Sequence, residues 1–228
     1  GLKKGDTALI FMPNVLEYID TWFGLAKIGA AEVPVNNAYK GNLLQYIINN
    51  SESKIMVVHQ SLLDRVHFVQ DDLKHLEKLV VLPDGDGEPQ LPQDLRFEVV
   101  PYRKLMGSPP AQPPDPDIKH YDLMAIIYTS GTTGPSKGVM MPYAQVYASI
   151  ERGLNLSEPD DVNYNPFPMF HISGQYPYYT LTVTGTSVAG RGVFSISAFW
   201  DDIDRYKCTN TLLLSSMVPF VYNQPRRE

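Results

Sequence analysis

The sequence predicts an α/β protein built from stacked βαβ layers with largely parallel sheets. Three observations carry that prediction. Short apolar runs alternate with longer amphipathic stretches. The runs are mostly uninterrupted by polar residues, as in strands covered on both faces. Strand and helix candidates succeed one another at the spacing of βαβ units.

Thr7 to Met12 (TALIFM) is the first predicted strand, and Pro13-Asn14 interrupts it. Leu16, Ile19, Phe23, Ala26 and Ile28 then recur at helical spacing, with Asn14 as the expected N-cap and Gly29 as the stop. Glu32 to Val35 is a second strand, Asn42 to Asn50 a second helix, and Lys54 to His59 a third strand. Ser61-Leu62-Leu63-Asp64 has the form of a capping box and predicts a helix to about Leu76. Lys78 to Leu82 is a fourth strand. Pro83 to Gln93 is turn-rich, and Ser108 to Asp117 holds five prolines in ten residues, so it reads as an extended tether. Leu123 to Tyr128 restarts the pattern as a strand, and a helix is expected near Pro142. The expected organisation is a first α/β subdomain at 1–107, a proline-rich connector at 108–120, and a second α/β subdomain at 121–228.

Composition narrows the function classes. The 228 residues hold 19 Lys plus Arg against 25 Asp plus Glu, a net charge of −6. Such a chain is a poor polyanion binder, which argues against nucleic acid as a partner. The single cysteine, Cys208, excludes an internal disulfide and a thiolate metal cluster, and fits a reducing, cytoplasmic setting. No apolar run approaches the roughly 20 residues of a membrane span. Neither end reads as a natural terminus, so the chain is expected to be part of a longer polypeptide.

The segment Tyr128-Thr129-Ser130-Gly131-Thr132-Thr133-Gly134-Pro135-Ser136-Lys137-Gly138-Val139 carries the most chemistry. Three glycines in eight residues free the backbone to turn N–H groups inward. Ser130, Thr132, Thr133 and Ser136 add hydroxyl donors, Lys137 adds a positive charge, and no acid interrupts the run. Directly after an apolar strand, this set describes a cradle for a phosphate chain. It is not a Walker loop: two residues separate Gly131 from Gly134, and Gly138 follows Lys137 where that motif needs Ser or Thr.

The run YTSGTTGPSKGV closely resembles the phosphate-binding signature of the adenylate-forming enzymes: acyl-CoA synthetases, aryl-CoA ligases, luciferases and peptide-synthetase adenylation domains. Its proline, Pro135, sits one residue earlier than is usual. Leu25 to Asn36 resembles the family's early helix-to-strand core motif, where small residues let the strand pack close. Asn165-Pro166-Phe167-Pro168-Met169-Phe170-His171-Ile172-Ser173-Gly174 resembles the segment with the acyl-pocket histidine. Phe194-Ser195, Phe199-Trp200 and Tyr206 to Thr209 resemble the strand-helix-strand that follows it. The PMFHISG and FSISAFW stretches are most similar to acyl-CoA and carnitine-type CoA ligases.

The resemblance implies an acid–thiol ligase in which a carboxylate attacks the α-phosphate of ATP and a thiol, such as that of CoA, then takes the acyl group. Fatty acids or other acids would be its substrates. It implies that Thr129, Ser130, Gly131, Thr132, Thr133, Gly134, Ser136 and Lys137 hold the β- and γ-phosphates, with Mg²⁺ bridging phosphates and no protein-only metal site. It assigns Lys137 and His171 to catalysis and Phe170, His171 and Gly174 to the substrate. Phe167, Tyr176, Tyr178 and Tyr179 could line an acyl pocket or fill the core, and Gly174 could admit substrate or only start a helix. The other histidines, His59, His67, His75 and His120, sit in ordinary strand, helix or linker contexts. The family's Tyr-Gly-x-Thr-Glu and Thr-Gly-Asp segments and its mobile C-terminal lid are not among these residues. An N-terminal fragment, inactive alone, is therefore expected. The alternative is a non-catalytic nucleotide- or acyl-binding module of the same fold.

Overall fold

A computed structural model describes residues 1–107, 115–129, 135–154 and 157–224. The chain forms two compact units, Gly1–Ala144 and Gln145–Glu228.

The first unit is a seven-stranded sheet. Its strands are β1 (Thr7–Phe11), β2 (Ala31–Pro34), β3 (Ile55–His59), β4 (Lys78–Leu82), β5 (Glu98–Pro101), β6 (Leu123–Thr129) and β7 (Lys137–Pro142). They lie in the order β5-β4-β3-β1-β2-β6-β7. Every pair is parallel except β6 with β7, which is an antiparallel hairpin. Helices α1 (Leu16–Lys27), α2 (Gly41–Asn50) and α3 (Gln60–Val69) make the crossovers. Side chains alternate across a strand. Leu9 and Phe11 of β1 join a buried cluster with Leu44, Ile47 and Ile48 of α2 and Leu63 and Val66 of α3. Ala8 and Ile10 face the other way and are fully buried, as are Tyr18 and Trp22 of α1. Both faces are thus covered, which is why these strands read as continuous apolar runs.

The helix ends differ from the sequence expectation in three places. The N-cap of α1 is Val15 rather than Asn14. The N-cap of α3 is His59 rather than Ser61: its Nδ1 accepts from the Ser61 N–H at 3.3 Å. The imidazole so takes the role given to the serine, and α3 starts two residues early. It ends at Val69, followed by a 3-10 turn at Gln70–Asp72, short of Leu76. Gly29, with φ +72°, does end α1.

The chain divides further along than the connector expected at 108–120. Residues 108–114 lie outside the described residues. Beyond them the Lys4 ammonium donates to the Asp117 carbonyl at 2.7 Å and pairs with Asp122 at 2.8 Å. β6 then lies parallel beside β2, so the strand after the connector extends the first sheet.

The second unit holds β8 (Val162–Asn165), β9 (Ser187–Gly190) and β10 (Asn210–Thr211) in the order β10-β8-β9, all parallel. Helix α4 (Tyr143–Leu154) leads into it; α5 (Ile172–Thr184), α6 (Phe199–Tyr206) and α7 (Val218–Tyr222) complete it. Tyr164, Phe199 and Val221 form its buried cluster, with Tyr164 and Phe199 edge to face at 5.3 Å. The helix expected at Phe199-Trp200 is present, but Phe194-Ser195 forms no strand.

Candidate active site

β6 ends at Thr129, on the carboxyl edge of a mostly parallel sheet, where open α/β folds take their ligands. β7 brings Lys137 back opposite Thr129, so these two residues close the mouth of the 130–136 loop. Both are exposed. Among the described residues nothing pairs with the Lys137 ammonium.

Helix α2 braces this mouth. The Tyr46 hydroxyl donates to the Ser136 carbonyl at 3.0 Å, and the Tyr128 hydroxyl donates to Asn50 Oδ1 at 2.7 Å. Burial, and secondarily the neighbouring Tyr46, push the Tyr128 hydroxyl up to about 12, so it stays a neutral donor. Ser136 itself is buried. A Cβ at Gly138 would stand 2.8 Å from Ile126 Cγ2 and 3.3 Å from the Tyr128 ring, so this glycine has a packing cause. Of the sequence-predicted phosphate residues, the structure places Thr129, Ser136 and Lys137 together. Ser130, Gly131, Thr132, Thr133 and Gly134 lie outside the described residues.

The second candidate segment lies in the second unit, between β8 and α5. His171 is the N-cap of α5, and its Nδ1 accepts from the Ser173 N–H at 3.2 Å. This repeats the His-x-Ser cap of His59 and Ser61. With Nδ1 used as an acceptor, a neutral ring carries its proton on Nε2. His171 is exposed, Phe170 is partly exposed, and Phe167, Met169 and Tyr179 are buried. Those three belong to the core. The Tyr176 hydroxyl donates to the Ser149 carbonyl at 2.9 Å. Burial raises the Tyr178 hydroxyl.

Gly174 lies in the first turn of α5, as the helix-start reading expects, and it has a packing cause besides. A Cβ there would lie 2.1 Å from the Pro168 carbonyl oxygen, so the first turn of α5 rests directly on the 168–169 peptide. Asn165 opens the segment that resembles the acyl-pocket stretch, but the sequence assigns it no role. It is buried, its Nδ2 donates to the Gly174 carbonyl at 2.8 Å, and its Oδ1 accepts from the Phe167 N–H at 3.2 Å. Its signal in the sequence is faint: a polar residue directly before Pro166-Phe167-Pro168.

The class these elements define is an α/β protein with a mostly parallel sheet and a basic, glycine-dependent hairpin at its carboxyl edge. The family model described as AMP-binding enzyme matches residues 1–228, and the chain belongs to that family. It is 30% identical to the crotonobetaine/carnitine–CoA ligase of Salmonella paratyphi C, over 99% of this chain and 43% of that protein. It is 29% identical to the long-chain fatty acid transport protein 1 of Bos taurus, over 100% of this chain and 35% of that protein. The chain thus spans less than half the length of these relatives. A long-chain-fatty-acid–CoA ligase (FadD1) of Archaeoglobus fulgidus superposes with a TM-score of 0.81 at 25% identity, covering 98% of this chain and 42% of that one. The N-terminal domain of FACL13 from Mycobacterium tuberculosis superposes with a TM-score of 0.80 at 22% identity, covering 99% and 54%. Among the described residues no helix is long and apolar enough to cross a membrane.

Proposed function

We propose that the full-length protein is a cytoplasmic, ATP-dependent carboxylate–CoA ligase, and that this chain supplies its phosphate hairpin and part of its acyl side. The single observation that carries the reading is the hairpin mouth, where Thr129 and Lys137 pair at the carboxyl edge of the sheet. The names of the relatives agree with it and suggest fatty acids or betaine-type acids as substrates.

The chemistry joins two anions, so positive charge and fixed donors must meet them. In this reading Thr129, Ser130, Gly131, Thr132, Thr133, Gly134 and Ser136 provide hydroxyl and backbone donors, and Lys137 offsets charge on the departing pyrophosphate. The Tyr46 and Tyr128 hydrogen bonds hold the base of the hairpin at Ser136 and Tyr128. Phe170 and Gly174 border the acid. His171 presents Nε2–H as a donor toward its carboxylate, while Nδ1 stays on the helix cap.

The donor set at the hairpin, hydroxyls with one ammonium, suits phosphate oxygens, so a Mg²⁺ ion would be held through the phosphates that Thr129, Ser136 and Lys137 bind. Among the described residues no group of three or more His, Cys, Asp or Glu could hold a metal. When bound, the ion supplies further neutralisation of phosphate charge. CoA is the co-substrate that takes the acyl group. We assign no nucleic-acid partner.

The test is pyrophosphate release by the full-length protein with ATP and a panel of hexadecanoate, octanoate, crotonobetaine and carnitine. Acid-dependent release is expected, reduced about 100-fold or more in Lys137→Ala, in line with loss of a charged transition-state donor. His171→Ala is expected to fall less, by about tenfold. ATP binding without release for any acid would replace this reading with a non-catalytic nucleotide-binding module. The repeated His-x-Ser cap is the observation that favours that second reading, because it accounts for His171 without chemistry.

A further inference from the structure

We infer that Asn165 is a positioning residue for the acid side of the site, fixing where Phe170 and His171 stand. The inference rests on the ligase reading above, and adds to it a residue outside the resembling motif's functional positions.

Asn165 is the last residue of β8, so it is anchored in the sheet through its parallel pairing with Gly190. From there its side-chain amide grips the following turn at both ends. Oδ1 accepts from the Phe167 N–H, where the chain leaves the strand. Nδ2 donates to the Gly174 carbonyl, where the chain has entered α5. Between those two points run Phe170 and His171. The turn is closed from within as well: the His171 N–H donates to the Pro168 carbonyl at 3.1 Å, and the Gly174 N–H to the His171 carbonyl at 2.8 Å. Gly174 rests on the Pro168 peptide with no room for a side chain.

A clamp of this kind needs one donor and one acceptor on a short arm. Asparagine has both; aspartate has two acceptors, and serine has a single oxygen. Asp at 165 would keep the bond to Phe167 and set a carboxylate oxygen against the Gly174 carbonyl. The turn would then lose its upper anchor while the strand keeps its pairing. Small displacements of positioned groups are costly in catalysis, so the effect should fall on the acid that this turn meets. ATP, held by the hairpin, should be spared.

The experiment compares wild type and Asn165→Asp in the full-length protein by two readouts. Hydrogen exchange over residues 167–174 needs no turnover. Steady-state pyrophosphate release gives KM separately for ATP and for whichever acid of the panel the wild type uses. We expect exchange in 167–174 at least about tenfold faster, the acid KM raised about tenfold, and the ATP KM within about twofold. Unchanged exchange overturns the clamp. Faster exchange with acid and ATP constants shifting together, or neither shifting, overturns the assignment to the acid side. If Asn165→Asp does not accumulate as folded protein, Asn165→Ser carries the same test, since its single, shorter-armed hydroxyl cannot hold Phe167 and Gly174 together and buries no charge. A wild type that releases no pyrophosphate with any acid sinks the ligase reading instead, and exchange alone then judges the clamp.

Discussion

A methyl group at position 138 would stand 2.8 Å from Ile126 Cγ2, closer than side chains approach without displacement. Gly138 is paired with Tyr128 across the hairpin, so the displaced atoms include those that brace the loop. Gly138→Ala is therefore expected to destabilise the first unit by about 1–3 kcal/mol, the usual range for overpacking. Urea unfolding followed by circular dichroism checks it; an unchanged midpoint would mean that Ile126 swings aside freely. The residue scale is also where sequence reading was weakest. Ser61 and Asn14 belong to the residue types favoured as caps, yet histidine and valine hold those positions. An imidazole Nδ1 can accept the same backbone bond as a hydroxyl, and only the backbone geometry reveals which group does so. The roles of Gly138, Gly174 and Asn165 depend on atoms distant along the chain, and no local pattern announces them.

At the scale of elements, β9 and α6 are tied by the Arg191–Asp202 pair. Arg191 Nε and Nη2 each donate to the Asp202 carboxylate at 2.6 Å, and the Tyr164 hydroxyl of β8 donates to it at 2.8 Å. Asp202 is 2% exposed. The Arg191 guanidinium, assisted by the Tyr164 hydroxyl, holds the carboxyl below its ordinary range against the opposing effect of burial. A depressed folded value contributes stability that is present above the unfolded value of about 3.9 and is lost as pH falls through the folded one. Below about pH 4 the second unit of the wild type should therefore weaken more steeply than that of Asp202→Asn, read by acid titration of tyrosine absorbance and Trp200 emission. Arg191→Met leaves the buried carboxylate with the Tyr164 hydrogen bond and the more distant Arg205 charge, and should cost about 3 kcal/mol at neutral pH. Elements of the first unit were legible because their strands are apolar runs between helical repeats; Lys78–Leu82 was read to the residue. β8, β9 and β10 were not. VNYN, SVAG and NT are short, and none carries an apolar run of more than two residues. α5 carries Pro177 within it, which reads as a break. The hairpin's return strand was masked in the same way, since KGVMMP opens on a lysine and a glycine and closes on a proline.

For the whole molecule, the two units differ in how much they bury. The first has a continuous cluster across β1 to β4, α2 and α3. The second centres on Tyr164, Phe199 and Val221, while Val193, Leu212, Leu214, Phe220 and Tyr222 are exposed. Burial of apolar surface is the main stabilising contribution, so the second unit should open first. The chain's two tryptophans report the units separately: Trp22 is fully buried in the first, and Trp200, 43% exposed, donates to the Val221 carbonyl in the second. In this chain, Trp22→Phe leaves only the second unit visible by fluorescence and Trp200→Phe only the first. The Trp200 transition is expected at lower urea than the Trp22 transition, and with a smaller slope, because less surface is exposed when 84 residues unfold than when 144 do. Neither substitution should reverse that order, although Trp22→Phe removes buried volume and narrows the gap. Coincident transitions with equal slopes would mean that the two units unfold as one cooperative body, and the difference in their cores would then have no separate thermodynamic expression.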